Sequence, residues 1–351
     1  MRVELPLMPG RIVVRAPNWL GDAVMSLPAL RALHRRFPDA HITIHARPSV
    51  ADLYVRESFA GEVLLCHVQP RLWGWPGRRQ AARELAARNF DTALLLPNSF
   101  DSALVIWLAR IPRRIGYRRD LRGPLLTDAL PCPRRGEIPP HQQYYYLELV
   151  QRAGLVRPCP ANGVILLDRV EEARDAGLRR WRERGVGSPV IGLSPGAAFG
   201  GAKRWPADRF AEAAARLAKM TGWTVAIFGS APERSLGETV GRMAAARGVR
   251  VVNLAGATSL AEFIELAAAC RIFLTNDSGA MHVASALGVP TVAVFGATDP
   301  QATGPAGPSA RVVREPVACS PCLLRECPID HRCMRAVSAD QVTQAALELI
   351  S

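Results

Sequence analysis

No apolar run in the 351-residue sequence reaches the roughly 18 residues that a membrane-spanning helix needs. The opening stretch, MRVELPLMPG, lacks the continuous apolar segment and small-residue cleavage site of a secretory leader. A cytoplasmic protein that does not cross the bilayer is therefore expected. Low-complexity tracts are missing, and with 49% hydrophobic residues the composition is that of a folded globular chain. No basic helix carries interleaved aromatics and no nucleic-acid-binding motif is present, which argues against DNA or RNA as a partner. GxGxxG is absent from both turns where a dinucleotide-binding fold would carry it. A Walker-type loop is missing too: in SPGAAFGGAKRWP, Ala202 separates Gly201 from Lys203, and Arg204 stands where Ser or Thr would hold magnesium. NAD enzymes and P-loop ATPases are disfavoured. Without a leader, the eight cysteines do not read as a disulfide framework. Cys66 and Cys270 lie in apolar contexts typical of buried thiols.

What is present is length, periodicity and positive charge. The chain exceeds the usual single-domain size, so two domains are expected. A net charge of +13, carried mostly by arginine, suits an anionic partner, although an Arg-rich genome would also produce it. Short apolar runs alternate with helical repeats: RIVVRAP (11–17), HITIHAR (41–47), EVLLCHV (62–68), DTALLLPN (91–98) and RRIGYR (113–118). Between the first two, Leu20, Val24, Leu27, Leu30, Leu33 and Phe37 recur at spacings of three or four, one face of a helix that Pro28 should kink. From 131 to 163 the texture turns Pro-rich around one helix, and a charged helix follows over 169–184. The alternation then restarts with PVIGLSPGA (189–197), TVAIFGS (224–230), VRVVNLAG (249–256), RIFLTND (271–277) and TVAVFGA (291–297). Apolar strands with intervening helices predict parallel sheets covered on both faces, hence two Rossmann-like halves. The expected divisions are an N-terminal domain over 1–165, a linker helix region over 166–188, a C-terminal domain over 189–337 and a last helix over 338–351, capped by Ser338 or Asp340.

Three segments carry chemistry. The Gly-rich turn with Gly196, Gly201, Lys203 and Arg204 precedes a helix that Trp205-Pro206 opens. Amides, helix dipole and cations there suit a diphosphate, or the segment is an ordinary turn with surface cations. In LTNDSGAMHVASALGVPTVAVFG, a buried strand runs into Asp277, Ser278 and Gly279, with His282 one turn on. Asp277 either accepts from a ribose hydroxyl or caps the helix, and His282 either donates to a phosphate or is structural. Glu233 follows another strand and occupies the same rim. At the first strand-to-helix turn, PNWLGD, Asp22 is either a helix cap or a functional carboxylate.

Taken in order, WLGDAVMSLPAL, PGAAFGGAKRWP and NDSGAMHVASALGVPTVAVFGATDP resemble the lipopolysaccharide heptosyltransferases of Gram-negative bacteria, and CSPCLLRECPIDHRCM is similar to the II-type members. The similarity spans essentially the whole chain. It implies an α/β protein of the GT-B fold, two Rossmann-like doubly wound domains facing across a cleft. It further implies an inverting, metal-independent transfer of heptose from ADP-heptose to a heptose already on the lipid A–Kdo core, with the acceptor in the N-terminal domain and the donor in the C-terminal one. In that picture Asp22 is the general base that takes the acceptor hydroxyl's proton. Lys203 holds the donor phosphates, Glu233 contacts the ribose, and Asp277, Ser278, Gly279 and His282 complete the donor segment with Gly196 and Gly201. One departure is Ala197-Ala198-Phe199, where relatives can carry a hydroxyl or carboxylate, which shifts donor contacts toward backbone amides. The remaining alternatives are a sister core heptosyltransferase of I or III type and a nucleotide-binding protein without transferase activity.

The acceptor is an anionic glycolipid, so peripheral contact with the cytoplasmic face of the inner membrane is expected. Asn18, Arg118 and Arg119 are candidates for the acceptor or its phosphates, and Arg78 and Arg79 beside Trp73 and Trp75, with RRIGYRRDLR at 113–122, for the lipid surface. Cys319, Cys322, Cys327 and Cys333 (a Cys-rich loop over 319–333, with His331 nearby) have the ligand types of a structural zinc site, or are packed free thiols.

Overall fold

The computed structural model describes residues 9–68, 74–157 and 163–351. The chain divides into two units, residues 1–162 and 163–351. The first contains β1 (Arg11–Arg15), β2 (His41–Ala46), β3 (Glu62–Leu65), β4 (Thr92–Leu95), β5 (Arg113–Tyr117) and β6 (Asp128–Leu130). They form one sheet in the order β3-β2-β1-β4-β5-β6, and every neighbouring pair is parallel. The second contains β7 (Val190–Ser194), β8 (Thr224–Ile227), β9 (Val251–Asn253), β10 (Ile272–Asn276), β11 (Thr291–Val294) and β12 (Ala310–Val313), ordered β12-β11-β10-β7-β8-β9, again all parallel. Counted from the start of each unit, the two orders are the same. Each sheet reverses direction once, between β1 and β4 and between β7 and β10, and in doubly wound sheets that switch point is where ligands bind.

The apolar runs explain the central strands. Ile12, Val13 and Val14 on β1 and all five residues of β7 and β10 are buried, because helices cover both faces. The edges differ from expectation. β6 has three half-buried residues and β12 has two exposed residues between two half-buried ones, so neither announces itself as an apolar run. The helix Leu20–Arg36 continues through Pro28 without interruption.

The charged helix, Val170–Glu183, lies in the second unit rather than between units. Gly177 passes so close to the helix Leu260–Ala268 that a Cβ there would sit 2.0 Å from the Glu265 carbonyl oxygen. Trp181 is buried and its Nε1 donates to the Leu266 carbonyl at 3.2 Å. The last helix, Ala339–Ile350, also joins this core through Val342 and Ala346. Ser338 caps it by accepting from the Gln341 amide, whereas Asp340 pairs with Arg216. Among the described residues no helix is long and apolar enough to cross a membrane.

Candidate functional site

In the second unit the switch point brings together the turn after β7 and the end of β10. Lys203 closes a short 3-10 turn, Gly201–Lys203, and its Nζ lies 2.6 Å from Asp277 Oδ2. Both side chains are largely buried, 12% and 5% exposed. Asp277 Oδ2 also accepts from Thr298 Oγ1 at 2.5 Å and from Thr303 Oγ1 at 3.4 Å. The Lys203 ammonium stands 4.8 Å from the centroid of the Phe199 ring, which Arg325 also faces. The cation is thus held by a carboxylate and a π-face, a setting that fixes its position.

Asn276, just before Asp277, anchors the Gly-rich turn at both ends. Its Nδ2 donates to the Pro195 carbonyl at 2.7 Å, and its Oδ1 accepts from the Trp205 amide at 2.9 Å. Glu233 closes a capping box on Ser230 and packs over Gly196, where a Cβ would meet its Oε1 at 2.0 Å. Ser278, not Asp277, caps the helix Gly279–Ala286, accepting from the Met281 amide. His282 is buried on that helix. The second unit therefore gathers Gly196, Glu233, Lys203 and Asp277 around one switch point.

The backbone of the turn is engaged differently from expectation. The Gly201 amide donates to Glu326 Oε1 at 2.9 Å and the Ala202 amide to the Arg325 carbonyl at 2.9 Å. His331 Nε2 donates to the Ala202 carbonyl at 2.9 Å. These amides are therefore taken by the Cys-rich loop, which corrects the picture of free amides waiting for a phosphate. The glycines serve that same contact: a Cβ on Gly200 would lie 2.2 Å from the Arg325 carbonyl oxygen. The zinc expectation changes as well. Among the described residues no group of three or more His, Cys, Asp or Glu side chains is placed to hold a metal ion. Cys319 is exposed, Cys322 and Cys327 are half-buried and Cys333 is buried, all as free thiols. Burial, then the neighbouring Cys319, pushes the Cys333 thiol pKa up.

In the first unit, Asp22 follows β1 at the switch point. The N-cap of its helix is Trp19, which makes no side-chain cap bond, so Asp22 sits within the first turn instead of capping it. Its Oδ1 accepts from the Tyr146 hydroxyl at 3.0 Å. Before the turn, the buried Arg15 donates to the carbonyls of Ala16 and His45 and, at 2.6 Å, to Asn18 Oδ1. Asn18 is thereby held by the strand that precedes it.

The basic stretches divide sharply. Arg118 and Arg119 are exposed beyond β5, whereas Arg122 is fully buried. Arg122 donates to the carbonyls of Tyr117 and Pro97, to Ser102 Oγ and to Asn98 Oδ1, and burial pulls its pKa down to about 10. It ties the loops after β4 and β5 together, a role that nothing in RRIGYRRDLR signals. Arg113 pairs with Asp128, and Arg114 donates to the Leu125 and Ile111 carbonyls. Arg78, expected at a lipid surface, is instead buried in a two-bond pair with Asp101, at 2.9 and 3.0 Å. Arg79 stays exposed over the ring of the exposed Trp75, and Trp73 lies outside the described residues.

Over residues 78–332 the chain matches the family described as Glycosyltransferase family 9 (heptosyltransferase). It is 35% identical over 308 residues to Lipopolysaccharide heptosyltransferase 2 of Escherichia coli strain K12, covering 87% of this chain and 88% of that protein. It is 32% identical over 331 residues to Lipooligosaccharide heptosyltransferase 2 of Haemophilus influenzae, covering 86% of this chain and 88% of that protein. The solved structure of E. coli ADP-heptose LPS heptosyltransferase II matches with a TM-score of 0.80 at 31% identity, over 97% of this chain and 98% of that one.

Proposed function

The chain belongs to glycosyltransferase family 9, the heptosyltransferases, and from that premise we propose that it moves L-glycero-D-manno-heptose from ADP-heptose to the first heptose of the lipopolysaccharide inner core. The observation that carries the donor half of this reading is the Lys203–Asp277 contact of 2.6 Å at the switch point of the second sheet. A largely buried ammonium at the carboxyl end of a parallel sheet is the place for an anionic ligand. Here that ligand is the diphosphate of the donor, with Glu233 on its ribose.

The first unit takes the acceptor. Asp22 removes the proton of the acceptor hydroxyl as its oxygen bonds to the anomeric carbon, and the bond from that carbon to the diphosphate breaks with its electron pair leaving on ADP. Lys203 neutralises the charge that grows on the leaving group, an electrostatic contribution worth a few kcal/mol in comparable sites. In this reading the cation on the diphosphate is a side chain, and attack from the opposite face inverts the anomeric centre. The acceptor being a lipid-anchored anion, the reaction takes place at the cytoplasmic membrane face, which the net charge of +13 supports.

The test is transfer by the purified protein from ADP-heptose to two acceptors, lipid A–Kdo with and without its first heptose. ADP release and a product one heptose heavier are expected only with the heptose-bearing acceptor. Transfer to the heptose-free acceptor would assign the first-heptose reaction instead, and ADP binding without transfer to either would leave only a nucleotide-binding protein.

A further inference from the structure

Asp22 is met by a side chain 124 positions further along the chain. Tyr146 lies on the helix Gln142–Arg152, which packs directly on the helix Leu20–Arg36, and only 4% of it is exposed. Its hydroxyl stands 3.0 Å from Asp22 Oδ1. An ionised carboxylate has no proton to give, so the phenol donates. Burial, followed by the neighbouring charge of Asp22, raises the Tyr146 pKa well above its ordinary value, so the donor keeps its proton at every working pH. Among the described residues, further ionisable and polar groups surround this contact. Gln142 reaches Tyr146 from the same helix. Tyr54, on the helix Pro48–Val55, meets Ser26 at 3.3 Å and senses Asp22, Glu57 and Arg15.

We infer that Tyr146 is a positioning residue for heptosyl transfer, its hydroxyl setting the orientation in which the Asp22 carboxylate meets the acceptor hydroxyl. The inference rests on Asp22 being the base. A carboxylate turning about its last torsion presents either oxygen in many directions, and general-base catalysis needs one of them within hydrogen-bond reach of the proton. A bond donated to one oxygen removes that freedom, and small misplacements of a catalytic group are costly in rate. The same bond favours the ionised form, so its loss moves protonation of Asp22 to higher pH.

The test is Tyr146→Phe, which keeps the ring and its edge contact with Tyr145 at 5.8 Å between centroids. The expected result is a kcat lowered about tenfold or more, with KM for ADP-heptose unchanged. The acid limb of the kcat/KM profile moves to higher pH. In the Asp22→Asn background the same substitution adds no further loss, because the group it orients is gone. An unmoved acid limb, or a loss that simply adds to that of Asp22→Asn, would overturn the inference and leave Tyr146 as helix packing. The limb position does not depend on how much protein is folded, so a partly unfolded variant still answers. Full activity of Asp22→Asn would be a separate failure, that of the base assignment itself.

Discussion

Only two of the 44 basic residues are lysine, Lys203 and Lys219, so arginine fills nearly every position that needs a cation. At 203 the geometry explains the exception. The ammonium fits between Asp277 Oδ2 and the Phe199 ring, where a compact point charge suffices and a planar guanidinium would have to displace one of them. Lys203→Arg is therefore expected to keep the charge yet weaken ADP binding by about tenfold and to slow transfer by more, a loss of the order of 2–3 kcal/mol in transition-state stabilisation. Calorimetry with ADP alongside steady-state kinetics checks it, and wild-type values in both would make the choice of lysine accidental. Lys203, Asp277, Glu233 and Asp22 could be picked out in the sequence as charged residues just beyond strands, and each does follow one, β7, β10, β8 and β1. Asn276, Thr298 and Tyr146 could not, because neutral side chains gain their roles only from partners distant in sequence. His45 is a further residue of that kind. It is buried on β2 beside Arg15, its Nδ1 lacks a partner, and burial pulls its pKa down to about 3. The unfolded chain binds a proton at this site below about pH 6.5 and the folded one only near pH 3, so stability falls as pH drops through that window. His45→Leu should flatten the acid side of the stability profile by an amount of the order of a few kcal/mol. Denaturant melts at pH 7 and 4.5 would show it, and an unchanged difference between the two would remove His45 from the acid response.

At the scale of elements, the Gly-rich turn and the Cys-rich loop behave as one piece. Two amides and one carbonyl of the turn, at Gly201 and Ala202, are bonded to Glu326, Arg325 and His331. Periodicity and motif spacing locate each segment separately, but neither reveals that the loop backs the turn that carries Lys203. A methyl at position 200 cannot be absorbed by a flexible side chain, since the atom 2.2 Å away is a backbone oxygen. Gly200→Ala should push the loop from the turn, weakening ADP affinity by about tenfold while costing about 1–3 kcal/mol of stability, the usual range for overpacking. Unchanged ADP binding in that variant would show that the loop does not support the donor site. The same reasoning separates legible strands from illegible ones. β1, β7 and β10 are covered on both faces and read as continuous apolar runs. β6 and β12, three and four residues long, pair on one side only, and their pattern is set by the edge they occupy.

At the scale of the whole molecule, repetition of one strand order gives each unit a rim of the kind where doubly wound sheets bind ligands, because loops that leave parallel strands at their carboxyl ends emerge on the same side. In the first unit that rim has an unusual surface. Trp19 after β1, Trp75 after β3, Phe100 after β4 and Leu121 after β5 are 54%, 42%, 44% and 91% exposed. Arg79, Arg118 and Arg119 stand exposed on the same loops and helix starts. Large apolar side chains interleaved with cations are what an interfacial surface presents, rings at headgroup depth and charges on phosphates. The arginines that the sequence pointed to are only partly the ones that remain available, since Arg78 and Arg122 are buried on Asp101 and on loop carbonyls. Sedimentation with vesicles should therefore show binding that requires anionic lipid and weakens as salt screens it. Replacing Trp75, Arg79, Arg118 and Arg119 together should abolish most of that binding, whereas replacing Arg78 should act through stability alone. Equal binding to neutral and anionic vesicles, or none at low salt, would remove the lipid surface from the account and leave these side chains to the acceptor sugar.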